Sequence, residues 1–198
     1  MRKVLMAALA AVTLLCTPII ATAAVAPSLL DIDYAWTTAA EVQSMIDAGA
    51  DVNAVDEYGW TPLMLAGEAS SDPGIITALV RAGADVNAKI EGDASVLMIT
   101  AASTSCPEII EALVAAGAEL EALDVDGWTP LMFAAQFNYS PEAARAMIKL
   151  GAAVDAATPE GVTSLMLAAA VAEGPEFVTM LLEAGADANA ADTDGWTP

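Results

Sequence analysis

The sequence predicts an all-α solenoid of stacked helix-turn-helix units joined by extended turn or hairpin loops. Three observations carry that expectation. The string GWTPLM occurs at residues 59–64 and returns at 127–132, a gap of 68. The glycines Gly49, Gly83, Gly117, Gly151 and Gly185 follow one another every 34 residues. The prolines Pro73, Pro107, Pro141 and Pro175 keep the same step. A period of this length marks one supersecondary unit, which buries its apolar face only by stacking on its neighbours.

A different kind of segment precedes the repeats. Arg2 and Lys3 lead an uncharged apolar run over residues 4–26, and Ala21, Thr22 and Ala23 offer a small-residue cleavage site before Ala24. This pattern reads as a secretory signal peptide over residues 1–23. The run is long enough to span a bilayer, so an uncleaved anchor is the rival reading; Pro18 and the Ala-x-Ala site favour cleavage. Cys16 follows Leu15, where a lipoprotein signal needs a small residue, and is read as part of the apolar run.

Residues 24–55 form the N-terminal capping unit. Leu29 aligns with Leu63, and residues 28–46 are expected to supply a first and a second helix. Thr38 and Glu41 have the spacing of a capping box, and Asp31 and Asp33 give the outer helix a polar character. Repeats follow over 56–89, 90–123, 124–157 and 158–191. In each, strings such as TPLMLAG and TPLMFAAQ open a short, small-residue first helix. A polar loop comes next. The second helix begins at the periodic proline, whose missing N–H is no loss in the first turn. Apolar pairs such as Ile75 and Ile76 with Leu79 and Val80 then make one buried stripe. The periodic glycine ends the helix as a left-handed C′ residue. Residues 192–198 copy 124–130, so the chain is read as a fragment whose next, truncated repeat opens there.

These units resemble ankyrin repeats. The family pattern Asp-x-x-Gly-x-Thr-Pro-Leu-His-x-Ala, closing in Gly-Ala-Asp-Val-Asn, is matched by residues 56–66 with 83–87 and again by 124–134. The resemblance implies an ankyrin-repeat solenoid that binds proteins and does not catalyse. Two departures stand out. The period is one residue longer than the family's usual length. The histidine after Thr-Pro-Leu is methionine at Met64, Met98, Met132 and Met166, which is expected to exchange polar contacts for flexible apolar packing. The repeat at 90–123 departs further, with Gly92, Ser95 and Val96 in place of the usual turn register.

Composition limits the partners. The chain carries 27 acidic and 6 basic residues, with no histidine. Cleavage would remove two of those basic residues and none of the acidic ones. Such a surface repels nucleic acid and anionic lipid and suits a basic partner or one presenting an apolar knob. No membrane insertion is expected after signal cleavage. The mature chain would keep Cys106 alone, leaving a free thiol or an intermolecular pairing.

Few residues point to chemistry. Asp124-Val125-Asp126-Gly127 and Asp192-Thr193-Asp194-Gly195 resemble the opening of a calcium loop but lack its further ligands, so turn formation is the better reading and no metal is expected. Cys106 stands at an N-cap, where a helix could activate its thiol; without a histidine partner an inert cap substitute is the plainer reading. No nucleophile, base and orienter set can be assembled, so neither an enzyme nor a cofactor is expected.

Trp60, Trp128 and Trp196 share the slot between glycine and threonine, which Ala94 and Val162 fill elsewhere. In the family that slot and the two residues before the glycine face the concave binding surface. The carry-over gives Glu57, Tyr58 and Trp60, then Val125, Asp126 and Trp128, then Pro159, Glu160 and Val162, with Trp196 beyond. These side chains either anchor a partner or pack on the neighbouring repeat. The expectation is an exported, periplasmic or secreted protein-interaction scaffold. The alternative is the targeting arm of a secreted effector or toxin whose active domain lies beyond residue 198.

Overall fold

A computed structural model describes residues 27–138, 140–171 and 175–198. The expected signal segment, residues 1–23, lies outside the described residues. The helices are α1 (Ala39–Asp47), α2 (Pro62–Ala69), α3 (Pro73–Arg81), α4 (Val96–Ser103), α5 (Pro107–Ala115), α6 (Pro130–Phe137), α7 (Glu142–Lys149), α8 (Ser164–Ala170) and α9 (Pro175–Glu183). No strand forms among the described residues; Lys89–Ser95 and Ala157–Thr163 make only isolated antiparallel bridges. No described helix is long and apolar enough to cross a membrane.

Local chemistry sets each boundary. Thr61, Ser95, Thr129 and Thr163 hold extended N-cap conformations, and each hydroxyl accepts the N–H of the methionine three residues on. Those methionines do more than pack. The N–H of Ser95 donates to Met98 Sδ at 3.3 Å, and that of Thr129 donates to Met132 Sδ at 3.5 Å. The thioether thus closes a weak capping box in two units, correcting the expectation of purely apolar packing. At the other end of the second helices the periodic glycines are left-handed, from φ +92° at Gly49 to +104° at Gly151. There the N–H groups of Gly83 and Ala84 bond back to Val80 and Leu79.

The capping unit departs from the expectation. Its residues 28–37 form successive turns, and among the described residues no first helix precedes α1. Short polar side chains bind the local backbone instead: Ser28 Oγ accepts from Leu30 N–H, Asp33 Oδ1 from Ala35 N–H, and Thr37 Oγ1 donates to the Asp33 carbonyl. Leu29 and Tyr34 are buried, with the phenol donating to the Leu29 carbonyl at 2.9 Å. Burial pushes the Tyr34 phenol far above its usual range. The Thr38–Glu41 capping box is formed.

Helices α2, α4, α6 and α8 stack as one layer, and α1, α3, α5 and α7 as a second. One continuous core runs between them, with Leu63, Leu97, Leu131 and Leu165 each buried at the same place in successive units. Where helix backbones approach, side chains are matched. A Cβ on Gly67 would collide with the Thr100 hydroxyl and lie 3.2 Å from Thr100 Cβ; at the same places of the following interfaces stand Ala101 with Ala134 and Ala135 with Ala168.

Side chains strap adjacent units together. Asn53 donates to the Gly83 carbonyl at 2.9 Å and accepts from Asp85 N–H at 2.8 Å; Asn87 repeats this with Gly117 and Glu119. Glu121 and Asp155 take the same position in the later units and only accept, from Ala153 and Asp187. Helix α9 packs on α8 but stands away from α7, and a cleft of about 260 Å³ opens between α7 and α9, lined by Pro141, Arg145, Pro175 and Met180 among others.

Candidate functional site

An opening aspartate builds the turn in three of the units. Asp56 Oδ1 accepts the N–H groups of Tyr58 and Trp60, each at 2.8 Å, and Gly59 turns left-handed at φ +83°. Asp124 holds Asp126 and Trp128, and Asp192 holds Asp194 and Trp196, in the same way. The acidic residues that resembled calcium-loop openings therefore serve as turn caps. In the 90–123 unit Ile90 has no such acceptor. There the left-handed positions are Gly92 (φ +88°) and Asp93 (φ +64°), so the turn is rebuilt within the same length.

Neighbouring turns are stitched through the backbone at two places. Val125 N–H donates to the Gly92 carbonyl at 3.2 Å, and Thr193 N–H to the Glu160 carbonyl at 2.8 Å. Pro159 holds the matching donor position in the intervening turn and has no N–H to give.

The predicted residues fall into three groups. Tyr58, Val125 and Trp196 are 70%, 67% and 73% exposed, which leaves large apolar surface open at every second turn. Glu57, Asp126, Pro159 and Glu160 are exposed as well, while Val162 is half-buried. Trp60 is half-buried against the core. Trp128 is half-buried in an aromatic cluster, edge-on to Phe133 with ring centroids 5.9 Å apart and stacked on Phe137 at 6.2 Å. Phe133 and Phe137 are themselves 5.8 Å apart. Trp60 and Trp128 in this slot are thus packed and half-buried, while Trp196 stays open.

Phe133 and Phe137 were not among the predicted residues. Their spacing of four places them on one side of α6, and their counterparts elsewhere are Leu65 with Ala69, Ile99 with Ser103, and Leu167 with Val171. That departure from the aliphatic repeat was the available signal. Trp36, 86% exposed in the N-terminal turns, also went unpredicted.

Charge is divided between the two layers. The first helices carry Glu68 as their one charged residue. Among the described basic residues, Arg81, Arg145 and Lys149 lie on second helices, and Lys89 bonds the Leu123 carbonyl at 3.4 Å. Lys149 also pairs with Glu111 at 3.2 Å on the second layer. The turn tips bear Glu57, Glu91, Asp93, Asp126, Glu160 and Asp194, so the face made by tips and first helices is apolar, aromatic and negative.

Cys106 makes no side-chain cap; its thiol donates instead to Glu108 Oε2 at 3.0 Å. Burial, then the bond to Glu108, pushes the thiol above its usual range, against the activation a helix start could give.

A protein-family model described as "Ankyrin repeats (3 copies)" matches residues 97–198, and one described as "Ankyrin repeat" matches residues 58–90. No curated protein matches the chain.

Proposed function

This chain belongs to the ankyrin repeat family, and from that premise we propose that it is an exported scaffold holding a protein partner on the concave face of its turn tips and first helices. Ankyrin repeats generally mediate protein–protein interaction and are generally not catalytic. One observation carries the finer reading. Tyr58, Val125 and Trp196 in the turns and Phe137 at the end of a first helix stay open to solvent, and the reading takes them as apolar surface of one interaction site. The acidic charge of that face favours a basic partner, or one that presents an apolar knob, and disfavours nucleic acid. Export rests on the pattern of residues 1–23.

Affinity capture tests the binding reading. The mature protein and its Trp60→Ala, Trp128→Ala variant are exposed to envelope and secreted fractions of the native source. A protein retained by the first and lost by the second is the expected result; equal retention, or none by either, refutes the tryptophan assignment. N-terminal sequencing of the exported protein is expected to begin at Ala24, and a chain that keeps residues 1–23 refutes cleavage.

A further inference from the structure

The aromatic cluster on α6 differs from a core in one respect: it is open. Phe137 is 53% exposed although it stacks on Trp128 with ring planes 26° apart. It stands where the other units carry alanine, serine or valine, so the fold does not require an aromatic there. Asp124 Oδ1 accepts the Trp128 N–H at 2.8 Å, and the turn tips of this unit and of those to either side carry Asp126, Glu91, Asp93 and Glu160. Lys89 is the one described cation among the turns, with its ammonium on the Leu123 carbonyl at 3.4 Å, and no first helix carries another.

An aromatic face attracts a cation through its quadrupole. A planar, weakly hydrated guanidinium stacks on a ring, whereas a compact ammonium holds its water. We propose that the Trp128–Phe133–Phe137 cluster seats an arginine side chain of the protein partner. The guanidinium stacks on Phe137 at the edge of the cluster, and its charge is met by the acidic turn tips. This assignment rests on the reading that the face binds protein, and it narrows the partner to one presenting an accessible arginine.

The test uses the mature protein with two labelled peptides of equal charge, (Ser-Arg)4 and (Ser-Lys)4, titrated by fluorescence anisotropy at physiological salt. The arginine peptide is expected to bind about fivefold more tightly, the scale of an exposed cation–π contact. Phe137→Leu keeps apolar bulk and removes the ring, and it is expected to erase that preference. Phe137→Ala does the same by removing both. Thermal melts of each variant check folding, which a half-exposed side chain on the last turn of α6 leaves intact.

Equal affinity for the two peptides overturns the proposal, as does an arginine preference that survives Phe137→Leu. A captured partner lost on Trp128→Ala, together with peptides that bind alike, refutes the arginine seat and leaves the protein-binding face standing. Indifference of both partner and peptides to every substitution refutes both.

Discussion

Ser164 opens α8 where α2 and α6 open with the buried prolines Pro62 and Pro130. Among the described residues its buried hydroxyl has no hydrogen-bond partner and its N–H no backbone acceptor. Replacement by proline meets both faults. The preceding Thr163 holds φ −111° and ψ 163°, close to Thr61 and Thr129 before the natural prolines and in the extended region that a following proline demands. Removing an orphaned buried hydroxyl is worth about 1–3 kcal/mol. Restricting the unfolded chain at a compatible site adds about 0.4–1 kcal/mol. Ser164→Pro is therefore expected to raise stability by ~1.4–4 kcal/mol, and Ser164→Ala by ~1–3 kcal/mol because it corrects the hydroxyl alone. In a chain of this size each kcal/mol moves the melting temperature by about 2–4 °C. Urea unfolding followed by both circular dichroism and tryptophan fluorescence reads the change and reveals whether the units unfold together. A Ser164→Ala protein no more stable than the parent refutes the orphaned hydroxyl. A destabilised Ser164→Pro beside a stabilised Ser164→Ala refutes the backbone match.

Three further outcomes are expected. Gly67→Ala drives a methyl into Thr100 and is expected to cost about 1–3 kcal/mol; adding Thr100→Ala recreates the alanine pair of the following interfaces and should return most of that loss, so additive penalties in the double variant would refute the steric account. The Thr38 N–H and hydroxyl hold the Glu41 carboxyl below the usual range, so the box contributes fully above the unfolded value of about 4.3 and is lost as pH falls through the lowered folded value. The Thr38 amide resonance should titrate with a midpoint below that of ordinary glutamate, and Glu41→Gln should abolish the titration; a normal midpoint contradicts this. Alkylation of Cys106 should be slow at neutral pH and rise with pH, and Glu108→Gln, which removes a carboxylate that disfavours the thiolate, should speed it; an unchanged or slower rate argues against that role.

The units were legible because their signals repeat in register. A proline at a helix start, a glycine past its end and an apolar stripe between agree in successive units, so an error in one is checked by the next. The capping unit lacks that redundancy. Residues 28–37 read as helical by alignment with Leu63, yet Ser28, Asp33 and Thr37 bind their own backbone and turns win. The thioether contacts of Met98 and Met132 depend on a side-chain path that residue type alone does not specify. At the candidate site the tryptophan slot was visible because it varies within a fixed frame. Phe133 and Phe137 were passed over because apolar residues on α6 are explained well enough by burial, and only their ring-to-ring contact with Trp128 sets them apart.

The cleft between α7 and α9 has a mechanical consequence. The joint it occupies, between the units at 124–157 and 158–191, is also the one where Pro159 leaves the turns unstitched and where Asp155 gives a one-way strap. The joint before residue 90 has a two-way asparagine strap and closely packed helices, and the joint before 124 has a backbone stitch. Three weaknesses therefore coincide along one seam. A load applied along the array concentrates its bending there, on the outer side, as a strip creases where it is thinnest. The aromatic cluster of α6 lies on one side of that crease and Trp196 on the other, so flexing the seam changes the span between the two aromatic stations.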